Sequence, residues 1–464
     1  MNVTLPKSDR RAMLLAIFAL AWPAMVEQAL QTVVQYADSA MVGRIGVHAT
    51  AAVGLTTTFV WLTNSPLWSM GVGVLACISR AVGSRDDETV RSAALQAIWL
   101  SLILGGILTL ICEIIAPFLP GWLGADPDIR RDGTLYFAII CAPMVFRALS
   151  YILGSALRAA GDTRTPMAVN LCMNAINIVL NLLLIFPTRE VSLGALSFTM
   201  PGAGWGVIGA AAATAVSITF SGCMMTYKVL TSPVLSPLKL KKRWNGEVMG
   251  RCVRVGLPVM LQNLGVFSGQ VVFSAQVTSL GKTALATHSI ALTAEQAFYI
   301  PGFGMEAAAS TLSGNALGER DEKKLDRVSL TTLLISMGLM FITGGILFAF
   351  PALLMSVFTA DAEVIAGGAR ILRIVACSEP LYAAMIIFEG VFHGVGQTKY
   401  PFVVSLATMW GVRILGTLIC LKVFGFGLTA VWLCMVADNV SRALLLGVRY
   451  FSGRWKRSLD LNRA

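Results

Sequence analysis

One acidic residue lies within the first long apolar segment of the chain, in line with a row of amides. Asp38 follows Gln28, Gln31 and Gln35, and spacings of three, seven and ten residues from Gln28 place all four on one helical face. A carboxylate in hydrocarbon must be compensated by another group or by a bound cation. Asp38 is therefore a candidate for cation chemistry, and the three glutamines are candidates to line a polar cavity.

A second polar row consists entirely of asparagine, at spacings of four, seven and eleven residues: Asn170, Asn174, Asn177 and Asn181. Thr214, Ser217 and Ser221 form a third row in the next apolar segment. Lipid cannot hydrogen-bond these groups, so they must face each other, water or a ligand. Carboxylate, amide and hydroxyl oxygens suit Na+, and a buried carboxyl can hold a proton instead. We therefore expect a cation-coupling site, with a simple ladder of helix–helix hydrogen bonds as the alternative. Its residues would be Asp38, Asn174, Asn177, Asn181 and Thr214.

The second half of the chain carries a different row, formed by His288, Glu295, Tyr299 and Glu306. On an unbroken helix these residues share one face, and they could line a cavity that attracts cations. Pairing of the acids with Arg413 is the alternative. We take Glu295, Tyr299 and Glu306 as candidates for a substrate cavity, and Glu379 and Glu389 as weaker candidates. Asp438 is expected near an exposed helix end, and Arg147 and Arg413 are expected to pair with acids or lipid headgroups.

The composition identifies the elements that must position these residues as membrane helices. The chain has 464 residues, of which 56% are hydrophobic and 13% charged, and its mean hydropathy is +0.72. A soluble protein cannot bury so much apolar surface, and each crossing needs about 20 apolar residues. We see no cleavable signal peptide. The pattern predicts an all-α protein with twelve spans, at about 12–36, 52–79, 92–116, 134–157, 166–186, 204–227, 252–277, 285–313, 328–351, 368–393, 401–421 and 428–448.

The positive charges predict the orientation of these spans. With both termini placed inside, 26 of the 36 Lys and Arg residues fall in inner segments and eight in outer loops. This bias predicts that both termini are cytoplasmic. The net charge of +11 includes the cluster Lys239, Lys241, Lys242 and Arg243, which we interpret as an anchor to anionic lipid. A nucleic-acid partner is not expected.

Catalytic signatures are absent from the sequence. It contains no P-loop, G-x-S-x-G or H-E-x-x-H pattern. Nine scattered cysteines without a C-x-x-C pair, and only three histidines, give little support to a metal centre. We expect no enzyme activity and no cofactor, so any uphill transport would draw on an ion gradient.

An offset of 235 residues relates the two halves of the chain. Pro23 falls on Pro258, the run that begins at Gly83 falls on the run at Gly318, and the run at Gly161 falls on the run at Gly396. Six spans per half make this a parallel repeat, typical of transporters with a central binding site. We expect lobes at 1–230 and 251–464, a cytoplasmic linker at 231–250, and a central cavity. Pro23 would be a hinge in the first helix, or merely a static kink.

These landmarks resemble the multidrug and toxic compound extrusion (MATE) family over essentially the whole chain. The matching motifs include the sequence from Asp38 to Gly43, the turn Gly161–Pro166, the row Asn177–Asn181, and Gly390 through Pro401. The resemblance implies two six-helix lobes and export of organic cations or other amphiphiles against H+ or Na+. It also implies a cation in the first lobe, at positions that match Asp38, Asn177, Asn181 and Thr214. Some relatives carry a second acid at the position of Asn181, so the choice between H+ and Na+ stays open.

The expected function is thus a multidrug antiporter of the bacterial inner membrane, acting as a monomer on small organic molecules in contact with membrane lipids. A lipid-linked sugar flippase of the same superfamily is the alternative, although its cavity would be expected to carry more Lys and Arg. A channel or receptor is disfavoured by the internal repeat and by the lack of room for a soluble sensor domain.

Overall fold

The structure is a computed structural model that describes residues 10–193, 196–240 and 244–459. Lys241, Lys242 and Arg243 of the predicted lipid anchor lie outside these residues. The first half contains α1 (Arg10–Gly43), α2 (Val47–Gly83), α3 (Asp87–Ile115), α4 (Leu119–Trp122), α5 (Pro127–Cys141), α6 (Met144–Ala159), α7 (Arg164–Leu184), β1 (Pro187–Leu193), β2 (Leu196–Ala203) and α8 (Gly206–Thr231).

The second half contains α9 (Gly246–Thr278), α10 (Lys282–Gln296), α11 (Ile300–Gly318), α12 (Glu322–Ala349), α13 (Pro351–Ser356), α14 (Ala362–Ala376), α15 (Glu379–Gly394), α16 (Lys399–Thr408), α17 (Leu415–Lys422) and α18 (Leu428–Phe451). A π-helical turn at Met409–Ile414 joins α16 to α17. The two strands form an antiparallel hairpin between α7 and α8, which the sequence pattern did not predict.

Helices account for the predicted membrane spans. Among the described residues, nine helices are long and apolar enough to cross a membrane, or up to eleven if each of two bent pairs is one span. The bent pairs are α5 with α6 and α14 with α15. The predicted span 285–313 is neither one of the nine helices nor one of the bent pairs. It consists of α10 and α11 with a 3-10 turn at Ala297–Tyr299 between them.

The repeated landmarks of the sequence are helix ends of the same geometry. Beyond α2 and α11, Arg85 and Arg320 each adopt a φ of 56°. The residue after each arginine donates its N–H to a carbonyl five positions earlier, at 3.0 Å and 3.1 Å. Gly161 and Gly396, at φ of 86° and 77°, end α6 and α15 in the same way. These are Schellman-type ends, which satisfy carbonyls that a helix terminus leaves free.

The repeat also extends to the register between helices. In the first half, α1 meets α7 at pairs that are 143 residues apart, namely Glu27–Asn170 and Asp38–Asn181. In the second half, hydrogen bonds at the same separation join α9 to the α16–α17 span: Val255–Thr398, Gln262–Ser405 and Gln270–Arg413. The same parallel helix pair is therefore built twice, which is the expected consequence of the repeat.

The chain forms two compact units. One comprises the chain up to Met25, Leu75–Asp86 and the chain from Val253 onward, and the other comprises Val26–Val74 and Asp87–Cys252. The division falls within α1 two residues after Pro23, and within α2 after Val74. The lobe boundaries taken from the sequence repeat stay a prediction.

Candidate cation site

The candidate site lies where α1, α7 and α8 present their polar rows to each other. Asn181 donates through Nδ2 to the Asp38 carboxylate at 2.6 Å and to Asn177 Oδ1 at 3.1 Å. Asn177 in turn donates to Thr214 Oγ1 at 3.3 Å. Asp38 and Thr214 are half-buried, whereas the asparagines are buried. One carboxylate, two amides and a hydroxyl are thus connected in a single chain of hydrogen bonds.

Two amide atoms of this site are buried without a hydrogen-bond partner among the described residues. They are Asn181 Oδ1 and Asn174 Nδ2. A buried polar atom that makes no hydrogen bond costs about 1–3 kcal/mol. An oxygen ligand such as Asn181 Oδ1, close to a carboxylate, suits a small monovalent cation. The described residues contain no cluster of three His, Cys, Asp or Glu side chains that could hold a metal ion. Asp38 is the one carboxylate in the connected set with Asn181, Asn177 and Thr214, which therefore carries one formal charge.

An apolar cluster borders the site one helical turn away. Val42 follows Asp38, Ile185 follows Asn181, and Ala210 precedes Thr214, and these residues belong to one buried cluster. Tyr136 on α5 packs against this cluster and interacts electrostatically with Asp38. The sequence analysis missed Tyr136, because no periodic row marks it. The cluster excludes water from one end of the site, which strengthens any electrostatic interaction there.

A second polar network occupies α1, α6, α7 and α8 three turns from Asp38. Glu27 accepts a hydrogen bond from Asn170 at 2.7 Å and forms an ion pair with Arg158 at 3.3 Å. Ser221 donates to Asn170 Oδ1 at 3.4 Å and bonds Ser150 at 2.7 Å. The first and last asparagines of the predicted row, Asn170 and Asn181, thus each donate to an acid of α1, Glu27 and Asp38 respectively. Ser217 does not join it, since its hydroxyl donates to the carbonyl of Ala213 in its own helix.

The remaining predicted residues of α1 have different exposures. Gln28 and Gln31 are half-buried, and Gln35 is exposed. Pro23 lies inside α1, which continues to Gly43 as one helix. Their roles in a cavity and in a hinge stay predictions.

The acidic row of the second half is divided by the structure. Pro301 lies in the first turn of α11, and a proline ring clashes with the carbonyl four residues earlier. The 3-10 turn at Ala297–Tyr299 therefore replaces the unbroken helix that we expected. Glu295 lies close to Tyr299 and interacts electrostatically with Glu379. Glu306, beyond the turn, lies 3.5 Å from His393. Glu295 and Glu379 are buried, and neither belongs to an ion pair among the described residues.

The prediction for Asp438 is wrong. It is fully buried in the middle of α18 and lies between Arg413, at 2.9 Å, and Arg442, at 3.2 Å. Arg413 thus pairs with an acid as expected, but with Asp438 rather than with Glu295 or Glu306. Arg147 is buried, bonds Asn64 Oδ1 at 3.0 Å and pairs with no acid among the described residues, so the expected pairing with an acid is wrong. The two guanidinium groups compensate the negative charge of the buried Asp438 carboxylate, so this acid does not need an exposed helix end.

Comparison with known proteins gives a consistent result over the whole chain. "Probable multidrug resistance protein NorM" of Thermotoga maritima is 27% identical over 461 residues, which cover 99% of this chain and 97% of that protein. "Multidrug resistance protein PmpM" of Pseudomonas aeruginosa is 24% identical over 417 residues, 87% of this chain and 83% of that protein.

Solved structures share the fold. One described as "Outward-facing conformation of a multidrug resistance MATE family transporter of the MOP superfamily" matches with a TM-score of 0.88 and 23% identity, over 100% of this chain and 99% of that chain. The MatE family model matches residues 23–183 and 258–419, one stretch in each half. These stretches make up more than half of the sequence, and the protein therefore belongs to the MatE family.

Proposed function

We propose that this protein is a secondary active antiporter that exports amphiphilic or cationic organic compounds in exchange for H+ or Na+ bound at Asp38. The observation that carries the proposal is the contact between Asp38 and Asn181 within a connected set of buried amides. Multidrug resistance is the role named for the relatives from Thermotoga maritima and Pseudomonas aeruginosa. The chain would act as a monomer in the bacterial inner membrane, with both termini in the cytoplasm.

Cation binding would change the net charge of the site from negative to neutral. A lone carboxylate in a membrane interior is costly, so the helices around Asp38 are more stable when a cation is bound. Na+ would take oxygens from Asp38, Asn177, Asn181 and Thr214, with Asn174 as a further ligand. A proton would bind the Asp38 carboxyl itself, and Asn181 would then bond a neutral group.

This charge change supplies the free-energy difference that alternating access requires. A ligand shifts a conformational equilibrium only by its differential affinity for the two states. The residues proposed to contact substrate are Gln28, Gln31 and Gln35 in the first half. In the second half they are Glu295, Glu306 and Tyr299, whose ring offers an apolar surface. Bending of α1 at Pro23 would link the cation site to substrate release, since the proline removes one hydrogen bond from the helix.

The test is transport by the purified protein in liposomes, with pH and Na+ gradients imposed separately. Asp38→Asn is expected to abolish gradient-driven export of an organic cation such as ethidium. Glu113→Gln is the matched control, because it removes an exposed carboxylate at the end of α3 and is expected to leave transport unchanged. Unaltered export by Asp38→Asn would refute the proposal. Gradient-independent movement of a lipid-linked sugar, with no export of organic cations, would favour the flippase instead.

A further inference from the structure

The turns that precede α7 and α16 are related by the offset of 235 residues but carry different charges. Before α7, the Asp162 carboxylate accepts hydrogen bonds from the N–H of Thr165 at 3.0 Å and from its hydroxyl at 2.6 Å. The counterparts in the second half are Gln397 and Tyr400. Gln397 is neutral and donates to the backbone carbonyl of Trp455 at 2.8 Å. The first half thus supplies a carboxylate at this turn, and the second half has an amide in its place.

A cation lies next to the second of these turns. The Arg449 guanidinium, in the last turn of α18, lies over the Tyr400 ring at 5.2 Å from its centre. The Tyr400 hydroxyl donates to the carbonyl of Leu445 at 3.2 Å, which fixes the ring against α18. A guanidinium over an aromatic face can still donate hydrogen bonds in its own plane. The ring therefore positions Arg449 without using up its donors.

The described residues do not compensate the charge of Arg449. Its side chain takes part in no ion pair among them, and its Nε has no hydrogen-bond partner there. The acids Glu322 and Asp326 of α12 pair with Lys456 instead. Lys399, which precedes Tyr400, is exposed and likewise belongs to no ion pair among the described residues. Two positive charges at this end of α16 and α18 thus lack a carboxylate partner.

These charges lie at one boundary of the predicted hydrocarbon region. The candidate membrane span that contains α16 begins at Lys399, and the span formed by α18 ends at Phe451. Arg449 follows Leu445 by four residues, so the two share one face of α18. Exposed apolar side chains cover both helices next to this end: Val403, Leu444, Leu445 and Val448. The guanidinium therefore adjoins an apolar surface that is suited to acyl chains.

The chemistry of this surface fits an anionic phospholipid. A guanidinium can donate two parallel hydrogen bonds to phosphate oxygens, and a lysine ammonium adds a point charge. A zwitterionic phospholipid would bring a cation of its own toward two positive side chains, whereas an anionic one does not. Free phosphate would leave the apolar surface uncovered. A lipid phosphate with its acyl chains uses both parts of the surface.

We propose that Arg449 and Lys399, with the Tyr400 ring, bind the phosphate of an anionic phospholipid whose acyl chains lie along α16 and α18. The lipid supplies the negative charge that Asp162 supplies at the corresponding turn of the first half. The site is separate from the basic cluster at Lys239–Arg243. It does not depend on the exchange proposed at Asp38.

The test is the melting temperature of the purified full-length protein in detergent, titrated with dioleoyl phosphatidylglycerol. This lipid is expected to raise the melting temperature in a saturable manner, because a ligand that binds the folded state stabilises it. Dioleoyl phosphatidylcholine is expected to raise it less, and glycerophosphoglycerol, the same headgroup without chains, is expected to leave it unchanged. Arg449→Gln is expected to raise the phosphatidylglycerol concentration at half-maximal effect about tenfold, through loss of a charged contact with phosphate.

Lys399→Gln is the second variant, and its exposed position keeps the test decisive if Arg449→Gln does not fold. It is expected to raise the same concentration about fivefold. Arg454→Gln is the matched control, because it removes one charge from an exposed side chain just beyond α18 and is expected to leave the titration unchanged. Equal effects of the two lipids, an equal effect of glycerophosphoglycerol, or an equal loss in Arg454→Gln and Arg449→Gln would overturn the proposal. None of these outcomes bears on export driven through Asp38, so the two proposals fail separately.

Discussion

The ends of α2 and α11 contact each other through two glycines that are related by the repeat. A methyl carbon built at Gly83 would lie less than 3.0 Å from three backbone atoms of Asn315. A methyl carbon built at Gly318 would lie equally close to backbone atoms of Arg80 and Ser84. Asn315 is itself the counterpart of Arg80 at the offset of 235. The contact is therefore reciprocal, as expected across a local two-fold axis.

Gly83→Ala is expected to push these two helix ends apart. The nearest carbons of Asn315 would lie 2.8 Å and 2.9 Å from the new methyl group, whereas ordinary contact begins at 3.4 Å. Backbone atoms cannot rotate away as side chains do, so the helices must separate by roughly 0.5 Å or more at an overpacked contact, at a cost of about 1–3 kcal/mol. Gly318→Ala is expected to cost a similar amount for the same reason.

The double variant gives the sharper result. Once α2 and α11 have separated for the first alanine, the second one enters space that is already open. The two costs should therefore not add, and the shortfall is expected to be about 0.5–3 kcal/mol. Independent sites would give a simple sum.

The measurement is the melting temperature of the purified protein in detergent, for both single variants and the double variant. Gly106→Ala in α3 and Gly338→Ala in α12 are matched controls, because a methyl group at either position meets no atom within 4 Å. These controls are expected to hold or raise the melting temperature, since alanine in a helix interior is favoured over glycine by about 0.5–1 kcal/mol. Unchanged melting temperatures for Gly83→Ala and Gly318→Ala would refute the close contact.

Three further experiments test other parts of the structure. Glu27→Arg combined with Arg158→Glu is expected to recover part of the melting temperature that either single change loses, and additive losses in this double-mutant cycle would argue against the ion pair. Asp438→Asn leaves two buried guanidinium groups without their carboxylate and is expected to cost about 3–5 kcal/mol, visible as a loss of folded protein on size-exclusion chromatography; normal yield would contradict it. Pro301→Ala is expected to restore helical hydrogen bonding across the 3-10 turn, measurable as slower amide exchange at Ala297–Tyr299, and exchange as fast as in the unmodified protein would exclude the proline as the cause of the break.

Features that depend on local sequence could be predicted from the sequence. The run at Gly161 marks a helix end because a Schellman end favours glycine at positive φ, and its counterpart at Gly396 lies one repeat later. At the run that begins at Gly83 the positive φ falls on Arg85 instead. The asparagine row of α7 could be recognised because polar groups in lipid are costly and their helical spacing is regular. Fold and membrane character follow from such local costs.

Features that depend on tertiary partners could not be predicted in this way. The position of Asp438 in the sequence suggests an exposed helix end, and only the packing of α18 against the π-helical turn brings Arg413 within 2.9 Å. Glu27 has no sequence neighbour that indicates Arg158, which is 131 residues away. The break before α11 was overlooked because the spacing of the acidic row was read without the effect of Pro301.

The two halves share a scaffold and differ in charge, and this difference bears on where coupling can occur. The position of Asp38 is taken in the second half by Phe273, and that of Asn181 by Gly416. Phe273 is buried and lies 5.6 Å from the guanidinium of Arg413, which is held by Asp438. The first half thus carries an acid without an ion-pair partner at this position of the repeat. The second half carries the aromatic ring of Phe273 there, next to the Arg413–Asp438 ion pair. Because an uncompensated charge gains most by binding a cation, a cation site at this position of the repeat is expected in the first half and not in the second.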